Sequence, residues 1–127
     1  MVYNDFTEMP VWKLAMEIVS DIYMLTEKLP KKEDYALCGQ MRSAAISIAG
    51  NIAEGFGRNH IKDKLNFYYF SRGSAAEEMS HLFCANKVGY FSGEEISSIN
   101  QKCRRVIEEL NKLIKSLSGK SSTSTLT

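Results

Sequence analysis

Apolar residues along this chain recur at helical rather than strand spacing. Between Pro10 and Lys28, Trp12, Ala15, Val19 and Ile22 step by three and four, and Leu14, Ile18 and Leu25 widen the stripe. Pro10 suits a first helical turn, where its missing N–H costs nothing, and Pro30 stops the segment. A second helix is predicted to begin near Glu33 and Asp34, whose carboxylates complement a helix N-terminus. It carries Leu37, Met41, Ala44, Ala45, Ile48 and Ile52 before Gly55 and Gly57 end it. A third starts around Asn59, a good capping residue, and runs through Leu65, Phe67, Tyr68, Phe70, Met79, Leu82, Phe83 and Val88 to Gly89. The fourth opens with Ser92-x-x-Glu95, the spacing of a capping box. Ile99, Cys103, Val106, Leu110, Leu113 and Leu117 then alternate four- and three-residue steps, the cleanest row in the chain.

Four amphipathic helices joined by short connections predict an all-α, antiparallel up-and-down four-helix bundle. The bundle is placed in residues 1–118 as a single domain. Residues 119–127 are polar and low in complexity and are read as a disordered tail.

Two helices carry more contact material than one core requires. On the second, Ala45, Ala49 and Ala53 form a small-residue line, and Ser43, Ser47 and Gly50 form another beside Ile48 and Ile52. On the third, Phe67, Tyr68, Tyr69 and Phe70 are consecutive, so they point around the whole helix. Surplus apolar faces predict a homo-oligomer.

Composition narrows the function more by exclusion than by assignment. The chain has 127 residues, 24% charged and 44% hydrophobic, with a formal charge of +1. Any attraction to nucleic acid must therefore come from local clusters. No apolar run approaches the ~20 residues that span a bilayer, and MVYNDFTEMP lacks the order of a signal peptide. Three unpaired-looking cysteines, Cys38, Cys84 and Cys103, fit reduced thiols in a cytoplasmic protein.

Within NIAEGFGR, residues 51–58, Asn51 and Glu54 are expected to hydrogen-bond across a helix–helix contact, with Arg58 closing a salt bridge. The competing reading makes Gly55, Gly57 and Arg58 an anion cradle. The structural reading is preferred, because glycines are also the usual way to end a helix. Glu78-x-x-His81 has the spacing used in di-iron bundles, but the second copy that such a centre needs is missing. Cys103 sits on a core step and Cys84 three residues after His81, without the base and orienting partner of a nucleophile. No metal, no cofactor and no catalytic residue is expected. The basic residues that remain as candidates for phosphate contact are Arg42, Arg58, Lys62, Lys64, Lys102 and Arg105, although Asp63, Glu108 and Glu109 are interleaved.

Three stretches together resemble a known family: VWKLAMEIVSDIYMLTEKLP, YALCGQMRSAAISIAGNIAEGFGR and FYYFSRGSAAEEMSHLFCANKVGYF. They are similar to the bacterial four-helix proteins encoded in intervening sequences of 23S ribosomal RNA genes. That resemblance implies a closed bundle assembling as a ring, often a pentamer. Distant relatives act beside reverse transcriptases in diversity-generating retroelements, where they bind nucleic acid and the polymerase. The expected function is a non-enzymatic scaffold or adaptor, with itself, RNA or DNA, and a reverse transcriptase as partners, and no membrane. The competing function is a protein-interaction module without nucleic-acid contact. Ala45, Ala49, Asn51, Glu54, Gly55, Gly57 and Arg58 form the expected structural and oligomer motif.

Overall fold

The computed structural model describes residues 2–126, which form the four expected helices: α1 (Pro10–Thr26), α2 (Leu37–Gly57), α3 (Ile61–Lys87) and α4 (Gly93–Leu126). Short 3₁₀ turns lie at Phe6–Glu8 and Lys31–Glu33. α1 packs on α2 and α4, and α3 packs on the same two, closing a four-sided bundle in which α2–α3 is the largest contact. Cross-helix ties show the directions. Ser47 meets Ser74, the Ile48 carbonyl meets Ser71, and Gly55 meets Tyr68, so α2 and α3 are antiparallel. Asp21 with Lys102 and Lys28 with Glu95 show the same for α1 and α4.

The helix ends follow local chemistry. Pro10 occupies the first position of α1. Thr26 closes that helix by donating its hydroxyl to the Ile22 carbonyl at 2.6 Å. Glu33 and Asp34 lie just before α2 rather than inside it, and the Glu33 carboxylate accepts from the Leu37 amide at 3.3 Å. The reciprocal capping box at α4 forms: the Ser92 amide donates to Glu95 at 3.0 Å, and the Glu95 amide donates to the Ser92 hydroxyl at 3.1 Å. Asn59 does not cap α3; His60 stands in the capping position without a side-chain bond. Gly89 leaves α3 at φ 89°, a left-handed turn that glycine enters at no steric cost. α4 continues to Leu126, through the polar stretch set apart as a tail, and Thr127 lies outside the described residues.

The centre is filled by Ile18, Ile22, Met41, Ile48, Ile52, Leu82, Val106 and Leu110. On α1 the buried stripe is Val11, Leu14, Ala15, Ile18, Ile22 and Leu25, with Trp12 and Val19 only half-buried at its edge. On α4 the row of Ile99, Cys103, Val106 and Leu110 is buried as expected, then shifts from Leu113 to Ile114.

α3 departs most from its predicted stripe. Its buried residues are Tyr68, Ser71, Ala75, Glu78, Leu82 and Ala85, an unbroken three-four row that is mostly small or polar. The larger Phe70 and Phe83 lie 59% and 50% exposed on the opposite side. A narrow inner face lets α2 come close. The Ser71 hydroxyl donates to the Ile48 carbonyl at 2.7 Å, and a Cβ added at Gly55 would stand 2.7 Å from the Tyr68 ring.

Candidate functional site

The α2–α3 turn gathers most of the chemistry flagged along the chain. Asn51 does not bridge helices directly. Its amide donates within α2 to the carbonyl and the hydroxyl of Ser47, both at 2.9 Å, and Ser47 then meets Ser74 of α3 at 2.8 Å. Glu54 makes no cross-helix bond. It pairs along α2 with Arg58 at 3.2 Å, and both are exposed. Gly55 is needed for the close approach of Tyr68, whereas an added Cβ at Gly57 meets nothing within 4 Å. Neither glycine has positive φ. Ala45 and Ala49 are buried in the chain's own core, so their small size serves the α3 contact. The outward line on α2 is instead Ser43, Ile46, Gly50 and Gly57.

The six basic candidates do not form one patch. Arg58, Lys62 and Lys64 lie together at the α2–α3 turn. Lys64 reaches back to the Gly55 and Phe56 carbonyls at 3.2 and 2.7 Å, satisfying the end of α2, and its partial burial lowers its pKa. Arg58 lies over the Phe67 ring, 4.7 Å from its centre. Lys62 is exposed. The other three sit elsewhere. Arg42 donates to the Thr26 hydroxyl at 2.9 Å and lies 4.6 Å over Tyr23. Lys102 is held by Asp21 at 2.7 Å and Glu17 at 3.4 Å; the Asp21 hydrogen bond is the main cause that raises its pKa. Arg105 is exposed on α4. The Arg72–Asn111 bond sets the register of α3 and α4, so Arg105 is level with residue 78. At 1.5 Å per residue, that lies about 24 Å along α3 from Lys62.

Glu78 and His81 do not act as a pair. His81 meets Glu77, at 3.2 Å, while Glu78 is wholly buried with both carboxylate oxygens lacking a hydrogen-bond partner. Burial, reinforced by the neighbouring Glu77 charge and only partly offset by the Ala45 backbone, too poorly aligned to count as a hydrogen bond, pushes the Glu78 carboxyl up to about 9, so it is a neutral acid at ordinary pH. Burial, with Glu78 nearby, lifts the Cys103 thiol to about 12, which removes thiolate reactivity. Among the described residues, no group of three or more His, Cys, Asp or Glu side chains is placed to hold a metal ion. Nor is any helix among them long and apolar enough to cross a membrane.

The sequence reading flagged the aromatics on the outer side of α3 but missed their contacts with cations. Phe67 and Phe70 meet edge to face with centres 5.9 Å apart, and Arg72 lies 5.1 Å over Tyr69. Two ring–cation groups therefore lie on this side: Arg58 with Phe67 and Phe70, and Tyr69 with Arg72. The available signal was the i, i+3 spacing of Phe67 with Phe70 and of Tyr69 with Arg72. Further along the helix, a shallow groove of about 710 Å³ is lined by Ala76, Met79, Ser80, Phe83, Cys84 and Lys87, among others.

A crystal structure of a Bacteroides thetaiotaomicron protein of unknown function from the S23 ribosomal protein family superposes with a TM-score of 0.77. The match covers 83% of this chain and 98% of that one at 23% sequence identity, a likeness of fold. No curated protein matches significantly in sequence. The model of the 23S rRNA-intervening sequence protein family matches residues 7–112, which includes all of α1, α2 and α3 and more than half of α4. The chain belongs to the 23S rRNA-intervening sequence protein family.

Proposed function

We propose that the protein is a non-enzymatic scaffold that associates with copies of itself. The observation carrying this reading is the apolar outer side of α3, where Phe83 is 50% exposed and Val88 66% beside the groove that runs from Ala76 to Lys87. Free-standing chains of this size rarely leave such residues together in water. Small Ala76 and Ser80 flanked by larger Met79 and Phe83 offer both hollows and projections to a second copy. The ring implied by family resemblance is one way to close such contacts. The free cysteines suit a reducing, cytoplasmic setting.

Light scattering on the eluting protein tests this. The expected mass is a multiple of 14.3 kDa, falling to one chain in Phe83→Glu. A wild-type protein that runs as a single chain at tens of micromolar, roughly, would refute self-association.

A second role is supported by charge at the α2–α3 turn. Between Glu54 and Arg72, Arg58, Lys62, Lys64 and Arg72 stand against Asp63 and Glu54, and Glu54 pairs with Arg58. That local excess fits a nucleic-acid backbone, and each added copy would multiply a weak contact. Anisotropy of labelled RNA and DNA titrated across salt is the test: affinity falling with log salt supports it, and no binding at low salt removes it.

A further inference from the structure

We propose that the outer face of the first half of α3 is a stacking platform for single-stranded nucleic acid, with Tyr69 and Phe70 receiving bases and Arg58, Lys62 and Arg72 flanking the strand. The inference rests on the nucleic-acid role above and specifies its ligand and contact. Tyr69 is 41% exposed and Phe70 59%, although the bundle core has room to hide neither without displacing the small row of Ser71, Ala75 and Glu78. These rings are held in place. Phe70 meets Phe67 edge to face at 5.9 Å, and Phe67 is covered on one side by the Arg58 guanidinium at 4.7 Å. Tyr69 is likewise flanked by Arg72, whose other contact is Asn111 of α4 at 2.8 Å.

Fixed, exposed rings beside cations are what unpaired bases recognise. Every base presents a flat π-face, and stacking on an aromatic side chain does not depend on sequence. A duplex offers no such faces, since its bases are already stacked on one another, and it would engage only the cations. Those are few, and two are already committed: Lys64 is bound to the α2 carbonyls, and Arg58 pairs with Glu54. Cations alone therefore give a duplex little purchase, whereas rings and cations together fit a single strand. Positive charge here is also local: Asp63 and Glu54, the latter paired with Arg58, stand against four basic residues. From Lys62 to Arg72 the platform measures about 15 Å along the helix, the length of a few nucleotides.

The self-association groove is separate. The groove's nearest residue, Ala76, lies six residues beyond Phe70, about 9 Å along the helix, and Phe83 about 20 Å, so copies that meet around Phe83 leave Tyr69 and Phe70 open.

The experiment is fluorescence anisotropy of the full chain with labelled single-stranded oligo-adenylate of about 12 nucleotides and a duplex of the same length, each across a salt series. The single strand is expected to bind at least ~10-fold more tightly than the duplex. Phe70→Leu, which keeps an apolar side chain at an exposed site but removes the ring, is expected to weaken single-strand binding about 5- to 10-fold without changing the salt slope. Lys62→Glu should weaken both ligands and flatten the slope. Tyr69→Ala provides a second ring deletion outside the core, and circular dichroism checks that each variant is folded. Equal binding of duplex and single strand, or an unchanged affinity in Phe70→Leu and Tyr69→Ala, overturns the platform while leaving the nucleic-acid role intact. Absence of binding to either ligand at low salt overturns both.

Discussion

Removing the ionisable group of Glu78 should change how the stability of this protein depends on pH. Glu78 is wholly buried on α3, with both carboxylate oxygens lacking a hydrogen-bond partner, and its carboxyl is raised from the ordinary 4.5 to about 9. In the unfolded chain the same group loses its proton near 4.5. Above that pH the folded state holds a proton that the unfolded state has released, so unfolding becomes easier as pH rises. Stability is fully present below about pH 4.5 and is lost progressively towards about pH 9, at roughly 1.4 kcal/mol per unit. At pH 7 the difference spans about two and a half units, or on the order of 3 kcal/mol. That is a large share of the roughly 5–15 kcal/mol that keeps a small domain folded.

Urea unfolding followed by far-UV circular dichroism, at one fixed protein concentration because the proposed self-association would contribute to apparent stability, measures this directly. Between about pH 5 and pH 8, wild type should lose on the order of 3–4 kcal/mol relative to Glu78→Met, whose side chain has similar length and no charge. Glu78→Met should be the more stable protein at pH 7, with an unchanged slope in urea. Glu78→Gln separates ionisation from polarity: it should share the flatter pH dependence, yet lose about 1–3 kcal/mol from its own unpaired amide. Parallel pH profiles for wild type and both variants would show that Glu78 is not the isolated buried acid described, and the reasoning would fail.

Four further outcomes follow from named contacts. Gly55→Ala places a Cβ 2.7 Å from the buried Tyr68 ring and should cost roughly 1–3 kcal/mol, while Gly50→Ala, with nothing within 4 Å, should stabilise by about 0.5–1 kcal/mol in the same unfolding assay. Lys64→Met should cost about 1 kcal/mol by releasing the last carbonyls of α2, whereas the exposed Lys62→Met should leave stability unchanged. Lys102→Met should lower stability by no more than about 1 kcal/mol, because the ion pairs with Asp21 and Glu17 remain partly in water. Thiol titration of folded Phe83→Glu, expected to run as a single chain, should modify Cys84 alone, leaving buried Cys38 and Cys103 until denaturant is added, whereas association of the wild type through the groove should slow Cys84 as well.

The parts of the fold that were legible in the sequence are those where one physical signal dominates. Pro10 and Pro30 bracket α1, Ser92 and Glu95 cap α4, and the row from Ile99 to Leu110 faces inwards. α3 was legible as a helix but not in its orientation. Of the apolar residues that marked the helix, the core takes Tyr68 and Leu82 but not Phe67, Phe70 or Phe83, and it adds Ser71, Ala75 and Glu78. The reason is geometric: α2 presents Ala45, Ala49 and Gly55, and two helices that approach this closely have no room for large side chains between them. Spacing alone does reveal the row, since Tyr68, Ser71, Ala75, Glu78, Leu82 and Ala85 keep strict three-four steps once residue type is ignored. The surroundings of the basic candidates were not legible, for a related reason. Charge was visible in the sequence, but the engagement of Lys64, Arg42 and Lys102 with carbonyls, a hydroxyl and carboxylates required the folded chain.

The inverted character of α3 links the interior of the bundle to its surface. Had the large aromatics faced inwards, the helices would stand further apart, Glu78 would gain room for water, and the outside of α3 would be polar. Instead the close α2–α3 contact confines a neutral acid in the core and turns Phe70, Tyr69 and Phe83 towards solvent. A helix whose inner row is small and polar stabilises the monomer less than an apolar row would, since each large ring left outside forgoes roughly 1.5–3 kcal/mol of burial. That forgone burial is recoverable only by covering the outer face. Covering Phe83 is the share of that burial that the proposed self-association would recover, and Glu78→Met, by strengthening the interior alone, should raise monomer stability without changing the mass observed in solution.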